Sequence, residues 1–418
     1  MKWSRFNYTY KTEKRVVLYN TFSKAILELD IEEYERFKNG DYGSEEIALI
    51  DNGIIVSDDY DECEFLKYIH YRTRFSSDVM TLTIAPTLDC NFDCPYCFEN
   101  KRKGQMTEKV RIAIVDFIKN KVQNGVKKID LTWYGGEPLL QVDCIKTIYQ
   151  GVSETLCKNG AELRQFLITN GFLLSGDTVD VLEECGIRHI QITIDGKEED
   201  HNKRRYLRGG KGTYDTIISN IKGLRGRDFR IDIRSNIDAE NSSGYGQLQA
   251  EIDRIKDVSI RMYPAVTENI NERRKDRMDL YMEHSQYMDF ISEGRDEGTV
   301  SSYVCEVEDN RCFFCSAELE NTFVIDELGN VYKCWDEIGK EESICFNVLN
   351  PDDINYEALL KYMGGDPFDR DDCKDCVFLP ICFGGCRFQR GLGAHSVCVH
   401  TENSINEFLK RELQREGV

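Results

Sequence analysis

Between residues 79 and 265, strand-like and helix-like segments alternate, and this alternation limits the fold more than any other feature of the chain. The strand candidates are "TLTIAPT", "KIDLTWYGG", "RQFLITNG", "HIQITIDG", "RIDIRSNID" and "SIRMYPA". Amphipathic helices lie between most of them. In "TEKVRIAIVDFIKNKVQ", residues Val110, Ile114, Phe117, Ile118 and Val122 share one helical face. Repeated strand–helix units imply an α/β fold with a parallel sheet, and they put active-site loops at the carboxyl ends of the strands. Six units predict a partial, TIM-like (β/α)6 barrel rather than a closed barrel of eight.

The flanks read differently. Residues 1–78 hold the short strand candidates "RFNYTY", "RVVLYN" and "KAILELD". A helix, "IEEYERFKNG", follows and stops at Gly40, and "EEIALIDNGIIVSDD" gives a helix–turn–strand pattern. This is a small α+β module. Residues 266–304 are strongly charged and form a bridging segment, with a helix near "RMDLYMEHSQYMDFISEG". Residues 305–400 are dense in cysteine and contain short strands such as "NTFVIDELGNVYKCW" around a Gly-Asn turn. Residues 401–418, "TENSINEFLKRELQ" and its tail, read as a helix.

With 418 residues the chain has room for two or three domains with their own cores. The formal net charge of −20 argues against a nucleic-acid binder, which needs a cationic face to displace phosphate counterions. No apolar run is long enough for a membrane span. The start, "MKWSRFNYTYKTEK", lacks the apolar core of a secretion signal, so the expected location is cytoplasmic. Seventeen cysteines stand beside six histidines. In a cytosolic chain such a count points to metal or redox chemistry, and thiolate-rich sites select zinc or iron–sulfur clusters.

The stretch "CNFDCPYCFEN" spaces Cys90, Cys94 and Cys97 as C-x3-C-x2-C, directly after the first barrel strand. Three thiolates can hold three irons of a cubane [4Fe–4S] cluster and leave the fourth iron for a non-protein ligand. By spacing alone, a zinc site completed by a distant cysteine is the alternative.

This pattern, with aromatic Tyr96 before the last cysteine, resembles the signature of the radical S-adenosylmethionine (SAM) superfamily. Downstream motifs agree in order and place. "WYGGEP" looks like the family's GGE motif, which points to Gly135, Gly136 and Glu137; glycine there permits a close backbone approach. "TNG" resembles the ribose-contacting strand end and points to Thr169 and Asn170. "TIDG" followed by "HNKRR" resembles a further family stretch in which Thr193 replaces the usual serine and Arg205 meets the SAM carboxylate. The resemblance covers roughly residues 79–265. It implies that a reduced cluster gives SAM an electron and that the resulting 5′-deoxyadenosyl radical takes hydrogen from carbon, with the protein positioning and shielding. A reductant such as flavodoxin or ferredoxin is implied with it.

The second cysteine set resembles the seven-cysteine SPASM domain, an auxiliary-cluster extension of some radical SAM enzymes. Cys315 and Cys334 fit C-x13-G-x4-C, "CKDCVFLPICFGGC" supplies Cys373, Cys376, Cys382 and Cys386, and Cys398 follows. A pair of zinc ribbons is the other reading of these spacings. The resemblance implies auxiliary cluster I on Cys315, Cys334 and Cys386, with Cys312 (or Cys305) as a fourth ligand or with an open iron. It implies auxiliary cluster II on Cys373, Cys376, Cys382 and Cys398. Three [4Fe–4S] clusters are therefore expected. Cys63, Cys144, Cys157, Cys185 and Cys345 fall outside the motifs and are expected to be buried free thiols packing as small apolar residues.

SPASM-bearing relatives commonly modify peptides. The N-terminal module resembles the winged-helix-like recognition element of ribosomal-peptide maturases, which implies leader binding by edge-strand addition. The expected function is a maturase that forms cysteine sulfur-to-carbon thioethers in a ribosomally synthesised precursor peptide, as sactipeptide and ranthipeptide synthases do. An anaerobic sulfatase-type formylglycine-forming maturase shares the cluster plan, with Asp336 the nearest candidate base, and carbon–carbon crosslinking is a third outcome. A non-catalytic iron–sulfur carrier or a zinc-binding interaction protein is the reading from another class, and the SAM-pocket motifs speak against both.

Overall fold

The computed structural model describes residues 1–267, 282, 284–296, 300, 312–391, 405–406 and 408–410. Cys305, Cys398 and most of the bridging segment lie outside the described residues. The chain divides into two compact units: Met1–Ser76 with Cys305–Glu320 and Lys361–Val418, and Ser77–Val304 with Asn321–Leu360.

The first unit opens with β1 (Lys2–Trp3), followed by β2 (Asn7–Lys11), β3 (Arg15–Asn20), β4 (Ile26–Asp30) and β5 (Ile55–Val56). β2, β3 and β4 form an antiparallel sheet in that order, and β1 pairs with β5. The central strand, "RVVLYN", is nearly all apolar because both of its faces are covered. Val16 and Leu18 pack with Leu29, Tyr34, Phe37 and Leu49. Val17 and Tyr19 face the other way, onto Phe378, Ile405 and Leu409. The two ends of the sequence thus share one core. Full burial of each such side chain contributes about 1.5–3 kcal/mol. Helix Ile31–Lys38 starts on a capping box: Asp30 accepts the Glu33 N–H at 2.7 Å, and Glu33 accepts the Asp30 N–H at 3.1 Å.

The second unit is built on one nine-stranded sheet. Its strands are β6 (Val79–Ile84), β7 (Lys128–Trp133), β8 (Glu162–Thr169), β9 (His189–Thr193), β10 (Arg230–Ile237), β11 (Ser259–Val266), β12 (Thr322–Ile325), β13 (Asn330–Tyr332) and β14 (Phe346–Asn347). The order is β11-β10-β9-β8-β7-β6-β12-β13-β14. β6 to β11 are parallel, neighbour to neighbour, as the six expected units require. The hairpin expected around the Gly-Asn turn forms, with Gly329 at φ +83°, and β12 docks parallel to β6. Residues 321–360 therefore extend the barrel sheet.

Helix Glu108–Gln123 covers the sheet as its apolar stripe predicts. Val110, Ile114, Ile118 and Val122 are buried, and Thr107 caps its start. Phe117 is half-buried, its ring edge-on to Phe323 at 5.1 Å. Helix His284–Asp296 overlaps the helical stretch expected in the bridging segment and runs two residues past its end.

No described cysteine is in a disulfide. Cys144, Cys185 and Cys345 are buried as expected, and Cys63 is half-buried. Cys157 departs from expectation: it is exposed. It lies on helix Val142–Asn159, whose buried face is taken by Cys144, Ile145, Ile148, Val152 and Leu156, so position 157 turns toward water.

Candidate functional site

The loop after β6 carries Cys90, Cys94 and Cys97. Cys90 is buried, and its sulfur accepts the Phe92 N–H at 3.4 Å. Cys94 and Cys97 are half-buried, and the Cys97 N–H donates to the Cys94 carbonyl at 3.2 Å. Both sulfur-bearing residues line a cavity of about 780 Å3 with Asp93, Pro95, Glu99, Asn100, Lys101, Arg102 and Gly339. Burial, with Glu137 nearby, pushes the Cys90 thiol up to about 12, so this site keeps its proton unless a metal takes the sulfur.

Three neighbours hold the loop in place. Asp93 N–H donates to the Tyr206 carbonyl at 2.9 Å, and Arg208 N–H donates to the Asn91 carbonyl at 3.1 Å. Arg208 also pairs with Asp89. On the other side, Arg102 reaches two buried carboxylates of the β12–β13 turn, Asp326 at 2.6 Å and Glu327 at 2.5 Å.

The third neighbour is the glycine pair after β7. Gly135 stands at φ +118°, and a Cβ there would lie 2.4 Å from the Thr87 carbonyl oxygen. A Cβ on Gly136 would lie 2.2 Å from the Asp89 carbonyl oxygen. In this structure the close approach that glycine permits is made by the cysteine loop's own backbone. Glu137 then closes the strand ends. Its buried carboxylate accepts from Thr169 Oγ1 at 2.7 Å, the Asn170 N–H at 2.8 Å and the Leu139 N–H at 3.0 Å. Asn170 extends the chain of contacts, donating to Asn91 Oδ1 at 2.8 Å.

Tyr96 is the hub on the opposite wall. Its hydroxyl donates to Asp195, and it accepts from Arg205 Nη1 at 2.8 Å and from Asn236 Nδ2 at 3.4 Å. Asp195 is fully buried and is shared with Arg204, 3.6 Å away. Burial works against the Arg205 charge, but Tyr96, Cys94 and Asp195 outweigh it and keep the guanidinium protonated. Among the described residues, Arg205 Nε is buried without a hydrogen-bond partner, a cationic donor of the kind an anionic ligand group satisfies.

His201 fixes Arg205 from behind. The Asp195 N–H donates to His201 Nδ1 at 3.3 Å, which puts the ring proton on Nε2, 3.0 Å from Thr213 Oγ1. Thr213 in turn donates to the Arg205 carbonyl at 2.5 Å. Burial, with Arg205 and Arg204 adding to it, holds His201 neutral, far below its ordinary range. Thr193 is buried at the end of β9.

Asp336 sits two residues after Cys334, whose sulfur is 3.8 Å from Asp336 Oδ2. It is half-buried, and burial raises its carboxyl pKa. Next to it in sequence, Trp335 stacks on Tyr134 with ring centres 4.8 Å apart.

In the first unit, Cys373, Cys376 and Cys382 line a small cavity of about 30 Å3 with Asp372, Phe378, Leu379 and Gly384. Cys315 and Cys386 are neighbours in the same unit: burial raises the Cys315 thiol, and the Cys386 group adds to it. Cys312 is half-buried, and its carbonyl lies 2.6 Å from His70 Nδ1. Cys334 belongs to the second unit.

The donor set of the first loop fits an iron–sulfur cubane. It offers soft thiols in one short loop on a cavity wall, and the motif contributes no imidazole. Among the described residues, no three His, Cys, Asp or Glu side chains converge tightly enough for one metal ion. Thiolates that bind different irons of a cubane have no need to converge on one point.

Asp195, Asn236, Asn91, Arg102 and the Tyr134–Trp335 stack were not among the expected site residues. Asp195 had a signal, since it is the acid of "TIDG". Arg102 had none, because its partners lie more than two hundred positions away.

A Radical SAM superfamily model matches residues 84–239. The cysteine-type anaerobic sulfatase-maturating enzyme of Clostridium novyi is 23% identical over 373 residues, covering 80% of this chain and 96% of that protein. The GTP 3',8-cyclase of Clostridium perfringens is 30% identical over 174 residues; the match spans 40% of this chain and about half, 49%, of the cyclase. Two solved structures share the fold. One is anSMEcpe with bound AdoMet and Cp18Cys peptide, with TM-score 0.60 at 19% identity over 80% of this chain and 98% of that one. The other is Streptococcus suis SuiB bound to precursor peptide SuiA, with TM-score 0.58 at 14% identity over 94% and 97%. The cysteine loop, the glycine pair and the Tyr96 hub all fall within the matched stretch, and residues 84–239 of this chain are a radical SAM domain.

Proposed function

We propose that the chain is a radical SAM peptide maturase that joins a cysteine sulfur of a ribosomally synthesised precursor peptide to a carbon of another residue. One observation carries the reading. A three-cysteine loop on a large cavity coexists in one chain with a second thiol group, Cys373, Cys376 and Cys382, around a cavity of its own. Thiols in two places suit a reaction in which one cluster starts radical chemistry and another handles sulfur or the surplus electron. The likeness to two folds solved with bound peptides supports a peptide substrate.

In this reading Cys90, Cys94 and Cys97 hold the SAM-binding cluster. Gly135, Gly136, Glu137, Thr169, Asn170, Thr193, Tyr96 and Arg205 shape the SAM pocket. Bound SAM and the reduced cluster would supply the hydrogen-abstracting radical. The chain's own part is to hold the Cys90 loop against Gly136, to keep Arg205 charged for the SAM carboxylate, and to shield the cavity. Cys373, Cys376, Cys382 and Cys398 take auxiliary cluster II. The assignment of Cys315, Cys334, Cys386 and Cys312 to auxiliary cluster I rests on the sequence pattern.

The N-terminal sheet supports leader recognition. Among the described residues, β2 and β4 each pair on one side only, and Ile26 and Ile31 bracket β4 at 39% and 46% exposure. An extended peptide can add to such an edge.

A second reading, the formylglycine-forming maturase, is favoured by Asp336: a half-buried carboxyl raised by burial is suited to act as a base. The two readings give different products. Anaerobically reconstituted enzyme is incubated with SAM, reductant and a cysteine-rich peptide encoded beside its gene. Thioether formation removes two hydrogens per bond and blocks one cysteine from alkylation. Loss of hydrogens with every cysteine still alkylated overturns the thioether, and loss of the sulfur itself selects formylglycine.

A further inference from the structure

The sheet of the radical SAM domain has one apolar face and one charged face. Along β10, Ile231, Ile233, Ser235 and Ile237 are fully buried on one side. Alternation puts Arg230, Asp232, Arg234 and Asn236 on the other. The strand register continues that second face as rungs. Asp232 lies level with Gln191 of β9 and Arg261 of β11, and Arg234 lies level with Thr193 and Tyr263. Asn236, one rung higher, donates to Tyr96. This face therefore leads up to the candidate site.

Most of its polar groups satisfy one another. Asp232 accepts from His189 at 2.6 Å and from Arg261 at 3.2 Å, and Tyr263 donates to Gln191 at 2.6 Å. Arg234 differs. Its Nε donates to Asn236 Oδ1 at 2.9 Å, and among the described residues its two terminal nitrogens have no hydrogen bond and no carboxylate at ion-pair distance. An unneutralised guanidinium on the rung of Thr193 is unexpected in a chain of net charge −20. Its fork presents two parallel donors, the geometry that a carboxylate matches.

We propose that Arg234 binds a carboxylate of the peptide substrate, an aspartate or glutamate side chain held next to the reacting carbon. The inference rests on the peptide-maturase reading. The SAM carboxylate has the same chemistry, but Arg205, with its unpaired Nε beside Tyr96, is the residue assigned to it.

The test uses the reconstituted holoenzyme with SAM and two probes, acetyl-Ala-Asp-Ala-amide and its Asn counterpart, with binding followed by ligand-detected NMR. The Asp peptide is expected to bind the native enzyme about tenfold more tightly, with the ratio falling as salt rises. Arg234→Gln should bring the ratio to one, and Arg234→Lys should keep part of it. Equal binding of both peptides by the native enzyme overturns the proposal, as does a preference that survives Arg234→Gln. Weakened SAM binding in Arg234→Gln with the preference intact assigns the residue to SAM and also overturns it. If Arg234→Gln does not fold, the native peptide pair and its salt dependence still decide. Peptide-independent release of 5′-deoxyadenosine by the native enzyme is scored separately. Its absence sinks the radical reading, whereas its presence without an Asp preference sinks only this proposal.

Discussion

Glu137 accepts the backbone N–H of Asn170 at 2.8 Å, and this bond joins the ends of two neighbouring barrel strands beneath the cysteine loop. With Thr169 and Leu139 as further donors, the carboxylate is fully buried and fully used. Burial raises its pKa and these donors pull it back, so its charge depends on them. Glu137→Gln turns one acceptor oxygen into a donor facing donors. We expect a loss of about 1–3 kcal/mol in urea unfolding, with weaker SAM binding.

Gly136→Ala should separate the loop from the rest of the fold. A Cβ 2.2 Å from the Asp89 carbonyl cannot be accommodated unless the backbone shifts. If the reconstituted protein holds about twelve irons as three cubanes, the variant should lose about four of them and all 5′-deoxyadenosine release. Gly223→Ala, in open space at the end of helix Tyr214–Gly223, is the control and should change neither.

His201 predicts a pH dependence. Its pKa is lowered in the folded protein by burial and by Arg205 and Arg204, so below its ordinary value of 6.5 the unfolded chain binds a proton that the folded one refuses. Stability is therefore full above pH 6.5 and falls as the pH drops below it. Urea midpoints at pH 7.5 and 5.5 should differ more in the native protein than in His201→Asn, in which no imidazole remains to titrate.

In the first unit, Arg387 Nε donates to Glu318 Oε1 at 2.7 Å; the Glu318 side chain is fully buried and that of Arg387 is 9% exposed. Glu318 lies three residues after Cys315, and Arg387 follows Cys386. Breaking a buried pair on one side costs about 3–5 kcal/mol. Glu318→Gln should destabilise by that order. On the proposed cluster assignment, its auxiliary-cluster EPR signal should change while a cluster on Cys90, Cys94 and Cys97 still binds SAM.

The six-unit alternation, the cysteine spacings and the strand-end motifs were all legible in the chain. They are local patterns, and local sterics and hydrophobic periodicity fix them. Strand limits agree within a few residues, because "RVVLYN" or "RIDIRSNID" can satisfy its backbone and bury its face in only one way. The expected burial of Cys157 failed for a related reason: composition assigned it to the core, but helical phase turned it outward.

What the sequence alone determined was which residues could do chemistry and in what order they occur along the strand ends. Tertiary structure decided what those residues touch. It filled the space beside Gly136 with the cysteine loop, tied Arg102 to Asp326 across the β12 hairpin, and packed both ends of the chain into one core. Among the described residues, it also left Arg234 without a carboxylate at ion-pair distance on the rung of Thr193. Each of these relationships joins positions far apart in the chain. A pattern read along the sequence carries no distance between such positions; only the register of strands and the packing of faces supplies it.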